Sequence, residues 1–289
     1  MFMDRVRLDD RVVIVFGGAG GGMGTQTALA IAEAGAVLVT ADMKQDRVDD
    51  TLERVADIGG TAHGVVADVR NREDIMKVFA KADELGGPDG LVNLVGSMRL
   101  ATKDVADVPG TAWMPSQELP DDYYRDILDI NMNYVFTSCQ QFIRRLREQD
   151  RPGAIVNFAS VSALAGAPYH SAYGMAKAAV MSLTRSLAVE HGDLNIRANC
   201  IVPGAVPAPS AQANTPEAFD NATQRASRIA PLGRRVAPEE IAGAVLFLLS
   251  DLSSGMTGQC LNVDAGVSAN SPGGTGAEFW ESTQLRRGL

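Results

Sequence analysis

The sequence predicts an α/β protein in which a doubly wound parallel sheet of about seven strands is flanked by helices. Short β-branched apolar runs alternate with helical patterns along the 289 residues. Such alternation requires right-handed crossovers, which place helices over both faces of a sheet. The strand segments are apolar at consecutive positions, which is typical of strands buried on both faces. We find no linker and expect one domain over residues 11–267, with an arm at 1–10 and a tail at 268–289.

The elements are predicted in the following order. The first strand is Val12–Phe16, and Thr25–Ala34 carries apolar residues at helical spacing before Gly35 ends the helix. The other predicted strands are Val37–Thr40, His63–Val66, Gly90–Val95, Ala154–Phe158, Ile196–Val202 and Cys260–Val263. The other predicted helices are Asp46–Ile58, Asp74–Leu85, Tyr123–Gln149 as one long helix, Ala172–His191 and Glu239–Leu249. The irregular stretches 97–121 and 204–233 follow strand ends, where open α/β sheets bind ligands.

Composition excludes several classes of protein. The 26 Lys and Arg residues against 35 Asp and Glu give a net charge of −9, which disfavours nucleic-acid binding. No apolar run approaches the ~20 residues of a membrane span, and the charged first ten residues lack the apolar core of a secretory signal. We therefore expect a cytoplasmic protein with neither a membrane nor a nucleic-acid partner. Three widely spaced cysteines and three scattered histidines predict reduced thiols and no metal site.

A glycine-rich segment joins the first strand to the first helix. Six of the eight residues from Gly17 to Gly24 are glycine, so the backbone can turn tightly and approach a ligand closely. The following helix offers unpaired N–H groups and a positive dipole end to a pyrophosphate. Between a strand and a helix, this segment predicts a dinucleotide-phosphate site.

Asp42 ends the second strand, 18 residues after Gly24. A carboxylate at this point accepts hydrogen bonds from the ribose hydroxyls of the cofactor. It would also repel the 2′-phosphate of NADP, by ~1–4 kcal/mol at contact distance. Lys44 and Arg47 are either solvated charges at the start of a helix or counter-charges for that phosphate. We therefore expect NAD, with NADP less favoured.

Tyr173 and Lys177 lie four residues apart at the start of a predicted helix, so they share one helix face. A neighbouring ammonium stabilises a phenolate, which is expected to lower the pKa of Tyr173 and to make it a general acid or base near neutral pH. Ser160, thirteen residues upstream of Tyr173 and just after a strand, is placed to hydrogen-bond the reacting oxygen.

Together these residues resemble the short-chain dehydrogenase/reductase family over Arg11–Gly266. Gly18, Gly22 and Gly24 match the family's TGxxxGxG signature, with Gly17 where threonine is usual. The resemblance implies a Rossmann-like fold and assigns Ser160, Tyr173, Lys177 and Asn131 as catalytic, Asn131 through a water relay. The cofactor residues it implies are Gly18, Gly22, Met23, Gly24, Asp42, Met43, Asp68, Val69, Asn93, Val95, Gly96, Tyr173, Lys177, Pro203, Gly204 and Val206. Ala208 stands near the position of a common family threonine, so one nicotinamide contact is missing from the pattern.

The expected activity is NAD(H)-dependent interconversion of a secondary alcohol and a ketone. Tyr173 exchanges the hydroxyl proton, Ser160 holds the oxygen, and Lys177 lowers the Tyr173 pKa and binds the nicotinamide ribose. We expect the substrate pocket to include Ser97, Met98, Ser162, Tyr169, His170 and Val206. These residues are mostly apolar or uncharged, so the expected substrate is a small, neutral, apolar alcohol or ketone.

Three alternatives remain open. The first is a reductase of 3-oxoacyl thioesters or steroid-type ketones on the same scaffold. The second is a catalytically silent NAD-binding sensor. The third is a nucleotide-sugar enzyme, which would need a larger C-terminal domain than follows Leu249. The resemblance also implies a homotetramer or a homodimer, with the two long predicted helices packed across an interface.

Overall fold

A computed structural model describes residues 2–97, 115–207, 223–224 and 228–269, and its strands form one sheet. The order across the sheet is β3-β2-β1-β4-β5-β6-β7, and every neighbouring pair is parallel. The strands are β1 Val12–Phe16, β2 Val37–Asp42, β3 Thr61–Val66, β4 Gly90–Asn93, β5 Gly153–Phe158, β6 Ile196–Pro203 and β7 Cys260–Val263. The predicted seven-stranded parallel sheet is confirmed.

Helices cover both faces of this sheet. They are α1 Gly22–Glu33, α2 Gln45–Asp57, α3 Arg72–Glu84, α4 Asp121–Leu128, α5 Tyr134–Gln149, α6 Ser171–His191 and α7 Pro238–Leu249. One buried cluster joins the sheet to α3, α5 and α6, and a second joins it to α1, α2 and α7. Along β1, Ile14 faces the first cluster and Val15 the second, and both are fully buried. Each such side chain contributes about 1.5–3 kcal/mol to folding, which explains why the strand is apolar at every position.

The prediction of one helix over Tyr123–Gln149 was wrong. A π-helical turn at Asp129–Asn133 separates α4 from α5. The amide of Asn131 donates to the carbonyl of Ile127 and to that of Ser97, each at 2.8 Å. Its Oδ1 accepts the Ser97 N–H at 3.1 Å. The side chain thus ties the turn to the segment after β4, and π-turns of this kind accommodate one extra residue.

Three element boundaries differ from the prediction in ways that matter for the site. Helix α1 begins at Gly22 and not at Thr25, so the end of the glycine segment is itself the first helical turn. Strand β4 ends at Asn93, and the N–H groups of Leu94 and Val95 both donate to the carbonyl of Phe16, at 3.0 and 3.2 Å. Strand β2 extends to Asp42. Strand β1, which leads into the glycine segment, therefore lies between β2, which ends at Asp42, and β4, which is followed closely by Gly96.

The sheet order creates a crevice at the carboxyl ends of β1 and β4. From β1 the chain continues to β2 on one side and later to β4 on the other, and ligands of open α/β sheets bind where the order reverses. Among the described residues, no helix is long and apolar enough to cross a membrane. Within those same residues, no group of three or more metal-ligating side chains is found.

Candidate active site

The loop between β1 and α1 presents backbone to the crevice. Gly21 is the N-cap of α1 and has no side chain to cap the first helical turn, and its own N–H donates to Thr25 Oγ1 at 2.9 Å. A Cβ on Gly24 would stand 2.2 Å from the carbonyl oxygen of Gly17, so only glycine lets the helix start this close to the loop. Bare N–H groups in the first turn, at the positive end of the helix dipole, form a site that suits a phosphate.

Asp42 lies at the end of β2 with a largely buried carboxyl group. Its side chain is 12% exposed, its Oδ1 accepts the Lys44 N–H at 3.1 Å, and burial raises its pKa. Arg47 Nη1 lies 3.8 Å from that same Oδ1. The Arg47 Cδ atom would be 3.0 Å from a Cβ on Gly20. Arg47 is therefore directed across the glycine loop toward Asp42, while the neighbouring Met43 is partly exposed.

Asp68 and Val69, two of the predicted cofactor residues, lie after β3. Arg70 binds the Asp68 carboxylate, with Nε at 2.9 Å from Oδ1 and Nη2 at 2.5 Å from Oδ2. This hydrogen-bonded ion pair lowers the Asp68 pKa, so the carboxylate is already engaged by a cation. Val69 is 8% exposed and belongs to the core.

Asn93, one of the predicted cofactor residues, has its side chain engaged inside the core. Asn93 is fully buried, and its amide donates to Asn157 Oδ1 at 2.9 Å. Ser138 Oγ donates to Asn93 Oδ1 at 2.7 Å. The amide group thus joins β4 to β5 and α5 inside the core, because a buried amide needs such partners.

Ser160, Tyr173 and Lys177 are brought together as the sequence predicts. Ser160 follows β5 after Ala159, its Oγ accepts the Ser162 N–H at 3.2 Å, and its side chain lowers the pKa of the neighbouring Tyr173 by hydrogen bonding. Lys177 Nζ lies 5.8 Å from the centroid of the Tyr173 ring and donates to the Phe158 carbonyl at 3.0 Å. Strand β5 and the first turns of α6 therefore bring together a hydroxyl, a phenol and an ammonium; Lys177 is buried, whereas Ser160 and Tyr173 are partly exposed.

The expected lowering of the Tyr173 pKa by Lys177 does not occur in this structure. Burial raises the Tyr173 pKa, and the hydrogen bond from Ser160 lowers it only in part. Burial also lowers the pKa of Lys177 to about 8. Desolvation disfavours both charged forms, and the ammonium is directed at the Phe158 carbonyl oxygen and not at the phenol oxygen.

Gly96 connects the Asn131 side chain to this cluster. A Cβ on Gly96 would stand 2.7 Å from Asn131 Oδ1 and 2.7 Å from Lys177 Nζ. Both polar groups therefore pack directly against the Gly96 Cα. The Val95 carbonyl, one residue earlier, accepts a hydrogen bond from the Tyr134 hydroxyl at 2.7 Å. The segment after β4 is thus held from both sides by polar side chains.

The Pro203–Gly204 turn follows β6 and is fixed by β7. The Gly204 N–H donates to the Val263 carbonyl at 3.0 Å, and a Cβ on Gly204 would stand 2.7 Å from the Asp264 Cα. Val206 is partly buried against the core cluster that contains α1 and α7. Backbone groups of this turn are the predicted nicotinamide contacts.

A cavity of about 410 Å³ collects three of the predicted substrate residues, Ser162, Tyr169 and His170. Ser162 Oγ lies 3.0 Å from His170 Nδ1, and the His170 ring meets the Tyr173 ring edge-on at 6.2 Å. The backbone of Ser97 is hydrogen-bonded to the Asn131 side chain. Met98 lies outside the described residues, as do most residues of 97–121 and 204–233. A larger cavity, about 560 Å³, lies between α3 and α5 and contains none of the predicted site residues.

Sequence reasoning missed several contributors to the site. Ser116, Gly174 and Met175 also line the smaller cavity, and a Cβ on Gly174 would stand 2.7 Å from the Ser162 carbonyl oxygen. A glycine directly after Tyr173 inside a helical pattern is the signal that could have indicated this close approach. Arg47 was noted, but its direction could not be read from the sequence.

Comparison with known proteins gives consistent results. The family model described as enoyl-(acyl carrier protein) reductase matches residues 18–268. A 2,5-dichloro-2,5-cyclohexadiene-1,4-diol dehydrogenase of Sphingobium indicum is 35% identical over 91% of this chain and 98% of its own. A cyclopentanol dehydrogenase of Comamonas sp. is 33% identical over 91% and 99%. The crystal structure of a 7α-hydroxysteroid dehydrogenase complexed with NADH and 7-oxo glycochenodeoxycholic acid superposes with a TM-score of 0.79. It is 28% identical, covering 91% of this chain and 96% of that one.

Proposed function

The chain belongs to the short-chain dehydrogenase/reductase family of oxidoreductases acting on CH–OH groups, and we propose that it interconverts a neutral cyclic secondary alcohol and its ketone with NAD(H). The observation that carries the proposal is the cluster of Ser160, Tyr173 and Lys177 at the same edge of the sheet as the glycine loop. The phosphate site and the proton-transfer group lie at the carboxyl edge of one sheet, where a dinucleotide would span both.

The residues present fit a nicotinamide dinucleotide. The first turn of α1 offers N–H groups to the pyrophosphate, and the close packing of Gly24 on Gly17 leaves no side chain in the way. Asp42 would hold the adenosine ribose, Lys177 the nicotinamide ribose, and the turn at Pro203–Gly204 the carboxamide. When bound, the nicotinamide supplies the hydride acceptor or donor.

Tyr173 moves the proton at the substrate oxygen. In ketone reduction its hydroxyl donates that proton, while the Ser160 hydroxyl hydrogen-bonds the same oxygen and stabilises charge on it. Because burial raises the Tyr173 pKa, the phenol keeps its proton at neutral pH. Alcohol oxidation needs the deprotonated form, so we expect kcat/KM for oxidation to rise with pH up to about 8, where Lys177 begins to lose its proton, whereas kcat/KM for reduction stays level over that range. A rate of oxidation that fell over that range would contradict this assignment.

Lys177 provides an ammonium group that its buried surroundings hold in place. Its ammonium lies against Gly96 and the Phe158 carbonyl, so it is held in one position. Asn131 Oδ1 lies at the same point, since a Cβ on Gly96 would stand 2.7 Å from it as well. We infer that Asn131 positions Lys177 and a water chain leading to it.

The described cavity wall favours a neutral substrate. The residues named around the smaller cavity carry no carboxylate, ammonium or guanidinium group: Ser116, Ser162, Gly166, Ala167, Tyr169, His170, Ser171, Gly174 and Met175. Burial lowers the His170 pKa, which keeps the imidazole uncharged. Two relatives are named for cyclic alcohol substrates, which supports a ring-shaped alcohol or ketone here.

A second candidate is reduction of a steroid-type ketone or a 3-oxoacyl thioester. The family model is described for an acyl-carrier-protein substrate, and one structural relative holds a 7-oxo bile acid derivative. An activity assay with a panel of substrates distinguishes the two candidates. The panel contains cyclic alcohols and ketones, a steroid ketone and a 3-oxoacyl thioester, each assayed with NAD(H) and with NADP(H). Turnover is measured by the absorbance of the reduced nicotinamide. Turnover of the small rings is expected. Turnover of the thioester alone would overturn the proposed substrate class.

For the cofactor we propose NAD over NADP because of Asp42. Its buried carboxylate would face the adenosine ribose and repel a 2′-phosphate. The Arg47 guanidinium is directed toward Asp42 across the loop, and its positive charge would attract the 2′-phosphate that Asp42 repels. Asp42→Ser is expected to raise the NADP-to-NAD ratio of kcat/KM at least tenfold, and an Arg47→Ser control is expected to lower it. A wild-type enzyme that prefers NADP would refute the assignment.

A further inference from the structure

Two cysteines of neighbouring strands lie side by side beneath α6. Cys200 on β6 and Cys260 on β7 are direct register partners in a parallel pair. Both pack on the sheet face that carries α5 and α6, so their side chains lie on the same side. Neighbouring strands are about 4.8 Å apart, which lies within the Cα separations of ~4.4–6.8 Å that disulfides span. Both thiols are free in the structure.

The two thiols differ in their surroundings. Cys200 is fully buried, whereas Cys260 is only partly buried, on the edge strand. They are hydrogen-bonded to each other, and this bond and the nearby Arg185 lower the Cys260 pKa while the Cys200 pKa is raised. The accessible thiol is thus the one that ionises first, and thiolates are the reactive form.

We propose that Cys200 and Cys260 form an oxidation site at which hydrogen peroxide converts the two thiols into a disulfide that bridges β6 and β7. The Cys260 sulfur attacks one peroxide oxygen, the O–O bond breaks, and one water leaves with Cys260 as a sulfenic acid. The Cys200 sulfur then attacks the Cys260 sulfur, the S–S bond forms, and the hydroxyl leaves as a second water with the Cys200 proton. Two thiols lose two electrons, and one peroxide is reduced to two waters.

The bridge would act on the cofactor site through β6 and β7. Three residues beyond the bridge, β6 ends at Pro203, and Gly204 donates to the Val263 carbonyl of β7. Drawing β7 toward β6 at Cys260 therefore displaces the turn that is proposed to hold the nicotinamide. Cys200 also interacts electrostatically with Lys177.

The test is peptide mapping of the full-length protein without reduction, before and after treatment with hydrogen peroxide. A Cys200–Cys260 linked peptide that disappears with dithiothreitol is expected. Peroxide that yields only Cys260 sulfinic or sulfonic acid, or a link to Cys139, would overturn the proposal. This readout needs no turnover, so it is independent of the proposed function.

Matched variants test the consequence. The KM for the dinucleotide is expected to rise at least threefold on oxidation and to return on reduction. Cys260→Ser is expected to lose this response. Cys139→Ser is expected to retain it, because Cys139 is buried in the amide network and burial raises its pKa to about 12. A response that persists in Cys260→Ser would contradict the assignment, and the wild-type peptide map stands even if a variant fails to fold.

Discussion

Burial sets the charge states of the two titratable groups at the centre of the site. The Tyr173 pKa is raised and the Lys177 pKa is lowered to about 8, both by desolvation. An ammonium in this position costs stability, because the folded state holds a charge that water solvates better. The buried ammonium therefore lowers the free energy of unfolding while it gives the site a cation in a fixed position.

Lys177→Met is predicted to stabilise the fold while it abolishes turnover. Below about pH 8 the lysine is charged in both states, so the folded protein bears the full cost of the buried charge. Above that pH the folded state loses its proton first, and the cost disappears by the unfolded pKa of about 10.5. After subtraction of the lost bond to Phe158, the gain at neutral pH is about 1–3 kcal/mol.

Urea unfolding at neutral and at alkaline pH measures this effect. The advantage of Lys177→Met is expected to shrink as the pH rises from about 8 toward 10.5. The exposed Lys77 gives the control, since Lys77→Met is expected to change the free energy of unfolding by no more than about 0.5 kcal/mol. A Lys177→Met protein less stable than wild type at neutral pH would contradict the sign.

At the scale of elements, the segment after β4 decides whether the cluster forms. Gly96 lets this segment contact both Asn131 and Lys177, while the π-turn brings Asn131 to it. The segment after β4, the π-turn and α6 are thus in contact around the Gly96 Cα. Small shifts at this point are transmitted to the lysine.

Gly96→Ala is predicted to lower kcat/KM by at least tenfold with the fold intact. The added Cβ would stand 2.7 Å from Lys177 Nζ, so the lysine must move. Gly243 in α7 is the matched control, because nothing lies within 4 Å of a Cβ there. Gly243→Ala is expected to keep activity and to gain about 0.5–1 kcal/mol in stability. Circular dichroism and steady-state kinetics check both variants, and equal activity in the two would refute the account.

The sequence was informative wherever local chemistry decides the structure. Apolar runs such as Val12–Phe16 predicted the parallel sheet, and the spacing of Ser160, Tyr173 and Lys177 predicted a cluster that the structure contains. The π-turn could not be predicted, since its residue Asn131 is bonded to Ser97, which is distant along the chain. The burial of Asn93 and the pKa of Tyr173 likewise depend on tertiary surroundings that a single sequence does not reveal.

At the scale of the whole molecule, exposed apolar side chains remain on the long helices. Phe136 on α5 is 53% exposed and Val189 on α6 is 86% exposed. Single exposed apolar residues are ordinary, but these two lie on the helices that the family resemblance places at a subunit interface. We therefore keep the prediction of a homotetramer or homodimer.

Native mass spectrometry tests the assembly. The wild type is expected as a tetramer or a dimer, and Phe136→Asp is expected to reduce its subunit number, because a buried carboxylate without a partner is costly. Thr61→Asp, at the exposed first position of the edge strand β3, serves as the control for added charge and should leave assembly unchanged. A wild-type monomer would refute the prediction.

The measurement that tests the central claim most directly compares Tyr173→Phe with wild type. The variant keeps the ring and its packing but has no proton to exchange, so kcat is predicted to fall by about 10²–10⁴-fold. NADH binding, followed by fluorescence, should be retained, and Tyr124→Phe on α4 should keep near wild-type kcat. If Tyr173→Phe turned over like the wild type, Tyr173 would not be the proton-transfer group and the proposed mechanism would be wrong.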